Sequence, residues 1–192
     1  MVRIVLIRAG STDFDEQRRI RGTLDMPLSV EGKACVARIA EDLRDVGIET
    51  IYSSGCEAAA QTAAAIARTL SVKPRKIENL QNVNHGLWQG MLVDEVRRKH
   101  PKVFRQWQEE PERICPPEGE MLGEARQRVS AALKKVLRKH KKGIIGIVAP
   151  EPLAGLISSY LRYNTPDHPN HAANGQPGWE LIDLEPRSLV TP

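Results

Sequence analysis

The sequence predicts an α/β fold, a three-layer sandwich whose central, mostly parallel sheet carries helices on both faces. Three observations predict it. Short apolar runs alternate with segments of helical periodicity, the pattern of strands joined by crossover helices. The run Gly143-Ile144-Ile145-Gly146-Ile147-Val148 is apolar throughout, as a central strand buried on both faces must be. The run from Val2 to Ile7 stops abruptly at Arg8 and the small residues Ala9, Gly10, Ser11 and Thr12, as a buried strand does where it feeds a loop.

In open α/β sheets ligands bind beyond the carboxyl ends of the strands, so Arg8 is expected to point into the site. Residues 18–32 read as a loop that delivers Ser29 as a helix cap. Val36, Ile39, Ala40, Leu43 and Val46 then recur at helical spacing, and Gly47 is a natural stop. Residues 48–53 form the second strand, and the alanine-rich segment after Ser53-Ser54 is a strong helix former. After Lys73-Pro74, residues 76–80 are strand-like. Residues 91–100 and 101–110 read as two short helices, the first with Leu92, Val93 and Val96 inward, the second opening on a favourable first-turn proline. A longer helix runs to about Lys141 on the spacing of Ala125, Val129, Ala132, Leu133, Val136 and Leu137. A helix over 152–160, a loop rich in Pro, Asn and His, and a strand over 179–184 complete the chain. The expected sheet contains residues 4–7, 48–52, 76–80, 144–148 and 180–184, with the first of these beside the fourth.

At 192 residues the chain fits one domain with a substantial core. Aromatic residues make up only 4%, so that core must be built from Ala, Val, Ile and Leu. The net charge of +4 comes partly from runs such as Arg97-Arg98-Lys99-His100 and Arg138-Lys139-His140-Lys141-Lys142. Basic runs at helix ends are usually solvated and complement the helix dipole, so nucleic-acid binding is not the expected role. Cys35, Cys56 and Cys115 are odd in number and lack paired metal-ligand spacing, which argues against a disulfide framework or a zinc site. No stretch approaches the roughly eighteen apolar residues of a membrane span, and the opening run is too short for a signal-peptide core. The expectation is a cytoplasmic protein without membrane contact.

The end of the first strand resembles the signature of the histidine phosphatase superfamily, the phosphoglycerate mutase-like proteins, whose first strand ends Arg-His-Gly-Glu-Thr. Here it reads Arg8-Ala9-Gly10-Ser11-Thr12. The family pattern Arg-x-x-Gly-x-x-Asp-x-Pro-Leu-Ser/Thr-x-x-Gly is matched at Arg19, Gly22, Asp25, Pro27, Leu28, Ser29 and Gly32. Residues 53–63 line up with Ser-Ser-Pro-Leu-x-Arg-Ala-x-Gln-Thr-Ala. Gly86, Trp88 and Gly90 match Arg-Glu-Ile-x-Phe-Gly-x-Trp-x-Gly. Glu118-Gly119-Glu120-Met121 approximates Gly-Gly-Glu-Ser, with Arg128 following in the next helix. The resemblance implies a single domain over residues 1–192, of phosphoglycerate mutase-like fold, with a small helical cap inserted at about 87–118.

It also implies where the chemistry should lie. In the family a histidine attacks phosphorus and becomes phosphohistidine, and its position here is Ala9. The second phosphate-binding arginine falls on Ala58. The glutamate that serves as general acid falls on Asn82, an amide with no titratable proton. The second histidine falls on Pro150, which has no side-chain donor and no backbone N–H. A nucleophile, cationic donors and a proton donor are all required by the family mechanism, and these four positions supply none of them. The expectation is therefore a catalytically degenerate pseudoenzyme, not an enzyme, that binds an unnamed small anion or a protein partner, with self-association left open.

The alternative is an enzyme with altered chemistry on small phosphorylated or anionic substrates, using Arg8, Arg21 and His85 with the acidic groups Asp15 and Glu151. These five residues are the candidate ligand-binding set, and no cofactor is expected. His85 stands out because it lies three residues after Asn82. His100 and His140 read as solvated, and His168 with His171 lacks a spaced carboxylate or thiol partner for a metal. Asp15 stands at the family's phosphate-contacting asparagine and Glu151 directly follows Pro150. A guanidinium at the bottom of a pocket stays charged and needs acceptors, so one of these carboxylates is expected to pair with Arg8.

Overall fold

Strand β1 (Val2–Arg8) lies inside the sheet because its side chains alternate between two apolar layers. Ile4 and Leu6 enter one layer and Val5 and Ile7 the other, and all four are fully buried. Burying each such side chain contributes about 1.5–3 kcal/mol. The computed structural model describes residues 2–163 and 178–184. Strands β2 (Ile48–Ser53), β3 (Pro74–Lys76), β4 (Gly143–Ala149) and β5 (Trp179–Leu184) complete the sheet, in the order β3-β2-β4-β1-β5. The pairs β1 with β4, β2 with β4 and β2 with β3 are parallel, and β5 runs antiparallel to β1.

Helices α2 (Val30–Asp42) and α3 (Glu57–Leu70) cover the Val5 and Ile7 face. Helices α6 (Leu122–Leu137) and α7 (Leu153–Tyr163) cover the Ile4 and Leu6 face. The short helices α1 (Asp13–Glu16), α4 (Val93–Lys99) and α5 (Pro101–Glu109) belong to the connections. The three layers, the mostly parallel sheet and the adjacency of β1 and β4 agree with the sequence. No helix among the described residues is long and apolar enough to cross a membrane.

Four sequence expectations need correction. The third strand is residues 74–76, not 76–80. Pro74 opens an edge strand, where its missing N–H is tolerated, and Asn79 adopts a left-handed φ of 59° that turns the chain away. Ile77 and Leu80 are nevertheless buried, so their apolar spacing records a turn packed under the sheet. In α4 only Val96 is fully inward, while Leu92 is 37% exposed just before the helix. Helix α6 stops at Leu137, where the N–H groups of Lys139 and His140 fold back onto the carbonyls of Val136 and Leu137. His140 is not simply solvated: its Nε2 lies 2.9 Å from the Tyr52 hydroxyl, with the rings edge to face. His168 and His171 lie outside the described residues.

The loop after β1 is held against the start of α2. Ser29 caps that helix, its hydroxyl accepting from the Gly32 N–H at 2.9 Å, while the Ser29 N–H donates to the Ser11 carbonyl at 2.9 Å. A Cβ on Gly32 would lie only 2.2 Å from the Ser11 carbonyl oxygen. Gly32→Ala is therefore expected to destabilise the protein by about 1–3 kcal/mol, as overpacking does. Gly123, in α6, has nothing within 4 Å of its would-be Cβ, so Gly123→Ala should stabilise by about 0.5–1 kcal/mol through helix propensity. Urea unfolding of the two variants beside the parent protein checks both signs.

Candidate functional site

Strand β1 delivers Arg8 to the carboxyl end of the sheet, opposite Ala149 of β4 and hydrogen-bonded through its N–H to the Gly178 carbonyl. The Arg8 Nε donates to Glu151 Oε1 at 2.8 Å. Glu151 is thus the carboxylate that pairs with Arg8, and Asp15 is not. Arg8 Nη2 also stands 3.6 Å from Glu180 Oε1, within ion-pair range but beyond a hydrogen bond. The other Glu180 oxygen takes the Arg162 guanidinium. Glu151 is lightly held on its far side, where Oε2 accepts a long 3.3 Å bond from the Gly155 N–H.

Glu180 and Arg162 were not among the sequence candidates. A signal existed for Glu180: strand alternation in Trp179-Glu180-Leu181-Ile182-Asp183-Leu184 puts it on the face of Ile182 and Leu184, both buried. A carboxylate on an inward face needs a partner. That the partner is Arg8 follows only from β5 pairing with β1, with Glu180 opposite Leu6.

Arg21 is 8% exposed and its Nη1 donates to Asp15 Oδ2 at 2.9 Å. The same oxygen accepts from the N–H and the hydroxyl of Thr12, both at 2.8 Å, so Asp15 closes the capping box of α1 while it neutralises Arg21. The loop carrying Arg21 is stapled to residues 89–91. The Ile20 N–H donates to the Met91 carbonyl, the Gly90 N–H to the Ile20 carbonyl, and the Thr23 N–H to Gln89 Oε1.

Asn82 joins these two arginine-bearing regions. Its amide nitrogen donates to the Gly22 carbonyl at 2.9 Å and the Glu151 carbonyl at 3.1 Å, and its oxygen accepts from the Leu153 N–H at 3.3 Å. The segment around Asn82 is anchored by Arg128, which donates to the Gln81 carbonyl and to Glu120 Oε1, both at 2.8 Å. Ala9 and Ala58 pack into the apolar layer beneath α2 and α3. Pro150 is buried, and its carbonyl accepts from the Ala154 N–H at the start of α7. Among the four positions matched to the family's reactive groups, only Asn82 presents a side chain that hydrogen-bonds, and it does so to backbone.

His85 is set apart from the arginines. It is buried, edge-on to Trp107 with centroids 5.5 Å apart, in the aromatic cluster that also holds Trp88 and Phe104. Among the described residues no hydrogen bond or ion pair links it to Arg8 or Arg21. Burial pushes its imidazole down to about 4, so the ring is neutral at pH 7. The unfolded chain, with an ordinary histidine near 6.5, binds the proton first as pH falls. The stability contributed by neutral His85 is therefore complete above about pH 6.5 and is lost as pH falls to about 4, an effect on the order of 3 kcal/mol. His85→Gln should lose less stability than the parent protein between pH 7 and pH 4, measured as the shift in urea midpoint; an identical loss in both would remove this account.

The sequence pattern of the histidine phosphatase superfamily (branch 1) matches residues 4–186. The chain is 33% identical over 149 residues to Phosphoserine phosphatase 1 of Hydrogenobacter thermophilus, covering 78% of this chain and 71% of that protein. It is 28% identical over 148 residues to a bifunctional protein of Mycobacterium tuberculosis, covering 77% of this chain but 40% of that protein. The solved structure of Bacillus stearothermophilus YhfR superposes with a TM-score of 0.85 at 24% identity, over 97% of this chain and 93% of that one, a likeness of fold. These relatives overturn the expectation of a non-enzymatic homologue, because kinship at this level with a named phosphatase points to an enzyme. By its matched pattern and its relatives, the chain belongs to the histidine phosphatase superfamily.

Proposed function

We propose that the chain is an enzyme acting on small phosphorylated or anionic substrates, with Arg8 and Arg21 as the groups that receive the anion. The observation that carries this is the Asn82 cross-tie, which holds to one amide the backbone of Gly22, next to Arg21, and that of Glu151, the ion-pair partner of Arg8. Membership of the family supports a phosphate ester as the substrate, and the Hydrogenobacter relative makes O-phosphoserine the first to try.

The chemistry is not the family's phosphohistidine route at positions 9 and 150, since neither alanine nor proline offers a nitrogen nucleophile. Hydrolysis then proceeds by water attacking phosphorus directly: the new P–O bond forms as the P–O bond to the leaving oxygen breaks, and the water's proton passes to that oxygen, giving the alcohol and inorganic phosphate. The two guanidinium groups stabilise the charge spread over the remaining phosphoryl oxygens. His85 has no part in this scheme; its neutral ring belongs to the aromatic cluster.

The test is release of inorganic phosphate from a panel of phosphate monoesters by the purified protein. Turnover above a protein-free blank is expected, without an acid-labile phosphoenzyme. Arg8→Met and Arg21→Met should each lower kcat/KM by about 10²–10³. A panel that yields no turnover, or kcat/KM unmoved by Arg8→Met, would refute the proposal.

A further inference from the structure

Both arginines already have carboxylate partners, so an anion must compete with a group of the protein itself. The two pairs differ in how firmly the carboxylate is held. Asp15 Oδ2 accepts from Arg21, from the Thr12 N–H and from the Thr12 hydroxyl, and Asp15 closes the capping box of α1, so releasing it would undo three bonds and that box. Among the described residues, Glu151 has one short bond to Arg8 and one long bond to the Gly155 N–H, and closes no capping box. Glu151 is the carboxylate that can leave.

Arg8 is also prepared for that departure. Glu180 Oε1 is buried and receives no hydrogen bond among the described residues, although Arg8 Nη2 is only 3.6 Å away. A small movement of Arg8 toward Glu180 would supply the missing bond and keep the guanidinium paired. Among the described residues, the ion pairs that involve Arg8, Arg21 and their carboxylates set three guanidinium groups, of Arg8, Arg21 and Arg162, against three carboxylates, of Glu151, Asp15 and Glu180. An anion that displaces Glu151 therefore leaves a carboxylate without a partner beside it. A ligand that brings its own cation repairs this.

Resting on the function proposed above, we propose that Glu151 is an exchangeable counter-ion, and that the substrates are small phosphate esters carrying an ammonium group a few bonds from the phosphate. The phosphate takes the place of Glu151 on Arg8, and the freed carboxylate accepts hydrogen bonds from the ligand's ammonium. Each charge separated in the exchange is paired again, whereas a purely anionic ester leaves Glu151 facing the incoming phosphate.

Phosphoethanolamine and propyl phosphate test this directly, because they differ in an ammonium against a methyl group on the same phosphate ester. Calorimetric titration of the full chain at pH 7.5 should give at least tenfold tighter binding of phosphoethanolamine. In Glu151→Gln that preference should fall below about threefold, mainly because propyl phosphate binds more tightly once no internal carboxylate competes for Arg8. Glu151→Ala, checked for an unchanged melting temperature, should behave the same way. Equal binding of the two probes by the parent protein, or a preference that survives in both variants, overturns the exchange while leaving the anion site intact. Binding of neither probe by any of the three proteins overturns both the exchange and the function on which it rests.

Discussion

The Asn82 side chain is the interaction on which the meeting of the Gly22 and Glu151 backbones depends. Two backbone carbonyls, of Gly22 and Glu151, converge on its nitrogen and one backbone N–H, of Leu153, on its oxygen. Asn82 is nearly inaccessible to solvent, so these partners lack ready replacement by water, and an unmet buried polar group costs about 1–3 kcal/mol. The chemistry of the residue follows from what surrounds it. A carboxylate at this position would accept from Leu153 but would turn two lone pairs toward the two carbonyls. Only a group that donates twice and accepts once satisfies all three, and an amide does so. The loops bearing Arg21 and Glu151 can therefore lie together because residue 82 is an asparagine.

From that cross-tie the electrostatics of the crevice follow. Arg8 stands at the end of a strand whose four preceding residues, Ile4 to Ile7, are apolar and fully buried, and Arg21 is almost buried. A buried guanidinium cannot lose its proton and must be paired. The fold pairs each one beside a helix start, Arg21 with Asp15 in the capping box of α1 and Arg8 with Glu151 two residues ahead of α7. The helix starts and the charge pairs are thus the same contacts, so a change in either pair is felt in the loop that carries it.

Much of this was legible in the sequence, and what was missed has specific causes. Strands β1 and β4 announce themselves because both faces are buried and the apolar run, residues 4–7 in β1 and 143–149 in β4, is unbroken. The Ser29 cap and the pairing of Arg8 with one of two named carboxylates were also readable, the second because a charged side chain after an apolar strand must find a partner. Strand β3 was misplaced because Ile77 and Leu80 are buried by a turn, and burial rather than extension produced their spacing. His140 was misjudged because a basic neighbourhood says nothing of Tyr52, which lies 88 positions away and reaches it only through the fold. Glu180 escaped notice because strand order is a property of the whole sheet. The expectation of an inactive protein weighed four positions more heavily than the kinship of the whole chain, which the Hydrogenobacter phosphatase makes plain.

Ala9 and Ala58 join Val5, Ile7 and Val148 in the apolar layer, and the Thr62 hydroxyl spans the gap by accepting from the Gly10 N–H and donating to the Ala58 carbonyl. With small apolar side chains at these two positions, the polarity of the crevice is concentrated in its charge pairs. Each pair joins a largely buried guanidinium to a partly exposed carboxylate, so the penalty for an unpaired charge falls chiefly on the arginine. Stepwise release of a carboxylate leaves a largely buried guanidinium unpaired, whereas exchange of one partner for another as a ligand arrives keeps it matched. The energetic preference is then for ligands whose charge pattern mirrors the protein's own, and selectivity can arise without a large or rigid cavity.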